Sequence, residues 1–240
     1  MIQLEKEESH IRMFIETNAV THRIDMHLKK NKPKGVAIDG IPIRKSSELF
    51  GLINLVFFSP EDLGIIKNGP SERRRFIDFE LCQLDKLYLS DLANYNKIIV
   101  QRNNLLKQIG FKPELMETLS IWDMQLCEYG KRIIESRQQF IEKLNNIVYD
   151  IHKKLSGNKE ELVIQYEPNV LPEDMEDKLE KQREKDIIYK LTSVGPHRDD
   201  ICFKIKDIDI RKYGSQGQQR TSALSLKLAE IELVKQTIKD

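Results

Sequence analysis

Sulfur, charge imbalance and long apolar runs are all scarce in this sequence. Its three cysteines, Cys82, Cys127 and Cys202, lie far apart and form no CxxC pair. That spacing suits neither a disulfide framework nor a zinc site, and it points to a reducing compartment. No apolar run approaches the ~18 residues of a membrane span, and no secretory leader is recognisable. A soluble, cytoplasmic protein with no membrane partner is therefore expected. The net charge is only +1, so no global field attracts nucleic acid and any such contact must be local. Two nucleotide signatures are also missing. There is no GxxxxGK[ST] phosphate loop, and no apolar run closes in two acidic residues.

What is present is charge of both signs. Charged residues make up 32% of the chain, above the usual quarter, and the mean hydropathy is −0.49. Long exposed helices would account for both. Residues 1–58 read instead as β-structure. "IRMFIET" (11–17) and "HRIDMHLK" (22–29) are strand-like, with Ile24, Met26 and Leu28 alternating at period two. Asp39-Gly40 is a hairpin signal. A short helix is expected from Ser46 or Ser47 over "ELFGLI", and "NLVFF" (54–58) has the pattern of a buried strand.

Helical periodicity begins at Pro70. Tyr88, Leu92, Tyr95, Ile99 and Leu106 mark one stripe, ended by Gly110 and Pro113. Leu115, Leu119, Trp122, Leu126, Tyr129 and Ile133 then recur at alternating steps of four and three, and the set resumes at Phe140, Leu144, Ile147, Ile151 and Leu155. This heptad seam, with a stutter at Phe140–Leu144, predicts a helix over 114–155, about 60 Å long. The preceding helix is the expected partner, giving a long antiparallel pair that projects as an arm; an ordinary helical bundle would bury the same residues. "EELVIQYEP" (160–168) reads as a strand and 172–190 as a solvated helix or linker. "TSVGPHRDD" contains a Gly-Pro turn, and "ICFKIKDIDI" forms a strand or hairpin. The expected organisation is 1–58 β-rich, 59–158 helical, 159–190 strand plus charged helix or linker, and 191–240 a return to sheet.

The last segment contains "KYGSQGQQRTSALSLKLAEIELV" (212–234), a glycine-bearing loop entering a helix. Helix N-termini bind anions through free N–H groups and the helix dipole. "ERRRF" (72–76) puts Arg73, Arg74 and Arg75 at a helix start, the end the dipole disfavours. Two readings are open for them. They contact DNA phosphates, or they pair with Glu61, Asp62, Asp78 or Glu80. His197, Arg198, Asp199 and Asp200 could suggest a metal or acid–base site, but a lone histidine beside a Gly-Pro turn reads as structural. No catalytic residue and no metal ligand is assigned.

Ser215-x-Gly217-Gln218 opening a helix resembles the signature loop of ABC-type ATPases. Together, "SPEDLGIIKNGPSERRRFIDFE" (59–80), "TSVGPHRDD" (192–200) and "GSQGQQRTSALSLKLAEIE" (214–232) resemble the bacterial RecF family, relatives of the SMC proteins. The likeness covers essentially all 240 residues. It implies an α/β fold, mixed α+β: part of an ATPase head sheet with an inserted helical lid or arm. The family's Walker A and Walker B motifs are expected to lie outside this stretch, with about a hundred residues missing at each end. The resemblance implies that Ser215, Gly217 and Gln218 face the γ-phosphate of ATP held by a partner subunit, with Mg in the complete dimer. It also implies DNA repair and replication as the setting, with single-strand/double-strand junctions, recombinase loading, the SOS response, and RecO and RecR as partners. The complete protein would be a slow DNA-dependent ATPase. This chain alone should neither hold ATP tightly nor hydrolyse it.

Two departures from the family pattern stand out. Asn68 replaces a glycine before "GP", where asparagine is the next most tolerant of a left-handed backbone. Glu61 or Asp62 also falls where ABC ATPases place a Q-loop glutamine. Two rival functions remain at this point: the nucleotide-binding subunit of a transporter, and a coiled-coil interaction protein without nucleotide.

Overall fold

A computed structural model describes residues 1–17 and 20–239. The chain divides into two compact units, Met1–Leu55 and Val56–Asp240.

In the first unit, β1 (Glu8–Thr17), β2 (Val20–Lys29), β3 (Gly35–Ile38) and β4 (Ile41–Pro42) form an antiparallel meander in the order β1-β2-β3-β4. Alternation set the β2 register as expected, with Ile24 buried and opposite Met13 and Ile38. Asp39 and Gly40 both have positive φ, 51° and 84°, and close the β3–β4 hairpin. Two expectations fail here. Residues Ser46–Leu49 form only one 3-10 turn, held by Glu48, whose carboxylate accepts from the amides of Arg44 and Lys45. Residues 54–58 form no strand, and Leu55, Phe57 and Phe58 are exposed. An apolar run becomes a strand only in a ladder with a neighbour, and residues 54–58 belong to none of the strands formed among the described residues.

The second unit starts with a 3-10 turn, Pro60–Asp62, and continues through α1 (Leu63–Lys67), α2 (Pro70–Leu84), α3 (Lys86–Ile109), α4 (Leu119–Leu155), β5 (Leu162–Glu167), α5 (Met175–Tyr189), β6 (Asp200–Ile205), β7 (Ile208–Asp209), α6 (Ile210–Tyr213) and α7 (Gln216–Lys239). Strands β5, β6 and β7 make an antiparallel sheet of their own. Helices α3 and α4 are antiparallel, because Tyr88 meets Arg137, Asp91 meets Arg132 and Arg102 meets Asp123. The long pair expected from the heptads is therefore present, though α4 starts at Leu119 after a 3-10 turn over Pro113–Thr118.

The seam is present but broader than expected: Leu119, Leu126, Ile133, Phe140 and Leu144 are buried as read from the heptads, and further residues join them. Buried positions on α4 include Asp123, Cys127, Gly130, Ile134, Arg137, Ile141 and Val148, while Trp122, Tyr129, Ile147 and Ile151 are half-buried and Leu155 is exposed. On α3 the stripe runs through Ile98 and Arg102 rather than Ile99. The reason is that α4 packs against α3, β5 and α7 at once, so its buried arc is wider than a two-helix seam. Nor is α5 merely solvated. Met175, Leu179 and Asp186 are buried, and Lys190 ends the helix with φ 56°. Asn68 has φ −82° and ψ −178°, an extended backbone open to any residue, so the expected left-handed turn is absent. Among the described residues, no helix is long and apolar enough to cross a membrane.

Candidate phosphate-facing loop and the ion-pair core behind it

Helix α6 is capped at its start by the Asp209 carboxylate, which accepts from the Arg211 amide at 3.0 Å. It ends where the Gly214 amide bonds the Ile210 carbonyl at 3.2 Å. A Cβ on Gly214 would lie 2.7 Å from that oxygen, so only glycine lets the chain turn so tightly. The buried Gln219 side chain donates to the same carbonyl at 2.9 Å. Ser215 then caps α7. Its Oγ accepts from the Gln218 amide at 3.2 Å, and the Gln218 carboxamide oxygen accepts from the Ser215 amide at 2.9 Å. This reciprocal capping box leaves the amides of Gln216 and Gly217 without partners among the described residues. Ser215, Gln216 and Gly217 are exposed, and a Cβ on Gly217 would meet nothing nearer than Ser215 Oγ at 3.8 Å. The loop thus presents one hydroxyl and two free amides at the positive end of a long helix.

The three arginines of α2 have three different fates. Arg73 is only 4% exposed. Its Nε and Nη2 grip Asp200 at 2.5 and 3.1 Å, and Nη1 donates to the carbonyls of Asn68 at 2.6 Å and Ile65 at 3.3 Å. The expectation of DNA contact is corrected here for Arg73, because its donors are consumed inside the protein. Its partner is also none of the four acids proposed from sequence. Arg74 is half-buried and donates to the Asp199 carbonyl at 2.7 Å. Arg75 is exposed and lines a surface cleft with Phe57, Glu72 and Phe79. Glu61 and Asp62 build the turn before α1. Asp62 accepts from the Ser59 amide at 2.6 Å, and Ser59 Oγ accepts from the Glu61 amide at 3.1 Å.

Residues 197–200 belong to a buried polar network. Tyr95 Oη sits 2.7 Å from His197 Nδ1, and His197 Nε2 lies 3.0 Å from the Thr192 carbonyl. A carbonyl only accepts, so Nε2 carries the proton and Nδ1 takes the tyrosine hydroxyl. Burial pushes the His197 pKa down to about 4, leaving a neutral ring. Asp199 accepts from the Asn169 amide at 2.7 Å and from the Tyr166 hydroxyl. It also pairs with Arg137 at 3.0 Å. Burial raises its pKa, and Arg137 opposes that rise. A second buried guanidinium, Arg102, holds Asp123 at 2.6 Å, Asp186 at 2.7 Å and Thr192 Oγ1 at 2.9 Å. These arginines escaped the sequence reading, although a signal existed. Arg102 stands four residues from both Ile98 and Leu106, and Arg137 three from both Ile134 and Phe140, inside the apolar stripes. Among the described residues no group of three His, Cys, Asp or Glu side chains is placed to hold a metal.

No family model matches the chain. Individual proteins match it closely. The DNA replication and repair protein RecF of Lachnoclostridium phytofermentans is 65% identical over 240 residues, covering 100% of this chain and 67% of its own length. The chain belongs to the RecF family. RecF of Agathobacter rectalis is 60% identical over 238 residues, covering 99% of the chain and 66% of its own length. A solved structure of the recombination mediator RecF-ATP in the RecFOR pathway superposes with TM-score 0.91 at 35% identity, over 99% of this chain and 66% of that one. The mixed α/β fold is thus that of RecF. The chain spans about two thirds of the length of the curated relatives it matches. That uncovered third is smaller in all than the hundred residues at each end that were expected.

Glu80 of α2 and Glu230 of α7 are 2% and 1% exposed, and their carboxyls face each other. Lys227 Nζ pairs with Glu230, and Gln83 Nε2 donates to Glu80 at 3.3 Å. Burial first, and the Glu230 charge second, hold the Glu80 proton well above the ordinary carboxylate range. The unfolded chain loses that proton near pH 4.5 while the folded one keeps it, so stability falls as pH rises above that value. Glu80→Gln removes the penalty. It is expected to raise stability by about 1–3 kcal/mol at pH 8 and by little at pH 5, as read from melting curves at the two pH values.

Proposed function

We propose that this chain supplies the signature-loop half of a composite ATP site in a RecF-type DNA replication and repair protein. The observation that carries this reading is the exposed Ser215 cap with its two free amides, in a chain 65% identical over its whole length to a RecF. In this reading the Ser215 hydroxyl and the Gly217 amide meet the γ-phosphate of ATP bound by the partner subunit, while Gln218 shapes the loop. ATP, with Mg, then closes a homodimer. The solved relatives include RecF with ATP, which supports the choice of nucleotide. In this reading the head segments are 1–58 and 191–240, and between them lie the helical lid, 59–158, and the strand plus charged helix of 159–190. DNA junctions, recombinase loading and partnership with RecO and RecR extend the same proposal, supported by the RecFOR setting of the solved relatives. Cytoplasmic location follows from that role.

The test uses the native gene product that carries this chain. Ser215→Arg places a long cation over the loop. It should abolish ATP-driven dimerisation in analytical ultracentrifugation while lowering stability only by what a lost helix N-cap costs, about 1 kcal/mol, because Ser215 is otherwise exposed. In the same protein Arg75→Ala should weaken DNA binding and lower its salt slope by about one counterion. Unchanged dimerisation in Ser215→Arg would remove the loop from the ATP site. An unchanged salt slope in Arg75→Ala would remove that arginine from the DNA contact.

A further inference from the structure

The loop is held from outside its own helix. Gln218 uses its carboxamide oxygen on the Ser215 amide, and its Nε2 donates to Glu160 Oε1 at 2.8 Å. Glu160 lies just past the C-terminus of α4 and is clipped there through its backbone. Its amide donates to Ser156 Oγ at 3.1 Å, and its carbonyl accepts from the same hydroxyl at 3.1 Å. The other carboxylate oxygen, Oε2, faces His152 Nε2 at 3.6 Å.

His152 is fully buried on α4, and its Nε2 has no hydrogen-bond partner among the described residues. Its Nδ1 lies 2.9 Å from Ser225 Oγ of α7, and that hydroxyl donates its own proton to the Thr221 carbonyl at 2.8 Å. Ser225 Oγ is therefore the acceptor, and the ring proton sits on Nδ1. With burial keeping the imidazole neutral, the Nε2 lone pair points at Glu160 Oε2. Oε2 gains no hydrogen bond there, so the bond from Oε1 to Gln218 fixes the carboxylate.

From this chain of contacts we infer that Glu160 is a positioning residue for the phosphate-facing loop, tying Gln218 and Ser215 to the C-terminal turn of α4. The inference rests on the reading of that loop given above. A carboxylate that accepts from the carboxamide locks the Gln218 rotamer in which its oxygen caps the Ser215 amide. The Ser215 hydroxyl and the Gln216 and Gly217 amides are then aimed outward before any phosphate arrives. Without Glu160 the carboxamide is free to rotate, and the loop must be ordered at the moment of binding. The effect should fall on ATP affinity and not on turnover, since Glu160 lies behind the loop and touches no phosphate.

Two substitutions separate this role from a merely structural one. Glu160→Ala removes the acceptor, whereas Glu160→Gln keeps Oε1 for Gln218 and can offer an N–H to His152 Nε2. In the 240-residue chain, amide hydrogen exchange at Ser215 should accelerate about tenfold or more in Glu160→Ala and stay within about twofold of the parent in Glu160→Gln. In the native gene product, the ATP concentration for half-maximal dimerisation should rise about tenfold in Glu160→Ala, with turnover at saturating ATP unchanged and Glu160→Gln restoring the parent value. Unaltered exchange at Ser215 overturns the tether. Faster exchange with an unmoved ATP half-point, in a protein whose dimerisation Ser215→Arg abolishes, overturns its role in positioning. If Ser215→Arg also leaves dimerisation intact, the loop reading fails and this inference falls with it, whatever exchange shows.

Discussion

Arg137→Leu should destabilise the Val56–Asp240 unit by about 3–5 kcal/mol, the cost of stripping one partner from a buried ion-pair network. Its guanidinium is 2% exposed and uses each of its three nitrogens. Nε donates to the Tyr88 hydroxyl at 3.1 Å, Nη2 to Asp78 at 2.8 Å, and Nη1 to the Pro196 carbonyl at 2.7 Å and Asp199 at 3.0 Å. One side chain on α4 thereby fastens α2, α3 and the 195–199 turn. Leucine fills much of the volume but leaves Asp199, 1% exposed, with its charge uncompensated. Arg137→Lys keeps the charge and loses the fork, so an intermediate loss is expected. Adding Asp199→Asn to Arg137→Leu should recover part of the loss, because it removes the stranded charge. Trp122 is the sole tryptophan and lies in this unit, so its fluorescence during urea unfolding reads the effect directly. A change below about 1 kcal/mol in Arg137→Leu would show the network to be dispensable.

That network also marks how far the sequence was legible. Local chemistry could be read. Period-two alternation placed β2, Asp39-Gly40 placed a hairpin, and Ser215 with Gln218 placed the start of α7, because each depends on residues a few positions apart. The heptads gave α4 its length for the same reason. Contacts distant in sequence were not legible. Arg73 finds its acid at Asp200, 127 residues away, so the acids nearest in sequence were the wrong candidates. The widening of the α4 seam depends on β5 and α7 arriving on its other side, which a repeat within one helix does not encode. Residues 54–58 have strand composition without a strand beside them. At the site, the capping box was written in four consecutive residues. Its tether required Glu160, which is 58 residues upstream of Gln218.

Gly195→Ala is the second large effect, and it comes from a single methyl group. Gly195 has φ +128° and ψ 179°, a region essentially closed to side-chain-bearing residues. A Cβ there would lie 2.3 Å from the Tyr95 hydroxyl, 3.3 Å from Met175 Cε and 3.4 Å from His197 Nδ1. Tyr95 is 1% exposed, so its ring has no room to retreat, and the methyl must displace the hydroxyl from His197 or shift the turn. Either movement breaks the 2.7 Å Tyr95–His197 bond and strands a buried imidazole nitrogen. It also disturbs the Pro196 carbonyl on which Arg137 rests. Strain and lost bonding together should cost about 3–5 kcal/mol, roughly that of Arg137→Leu. The two losses should be markedly less than additive, since both act on one network. A double variant whose urea midpoint falls by the full sum of the single shifts would show that the turn and the arginine are independent. The shortfall expected instead measures how tightly the Gly-Pro turn and α4 are coupled.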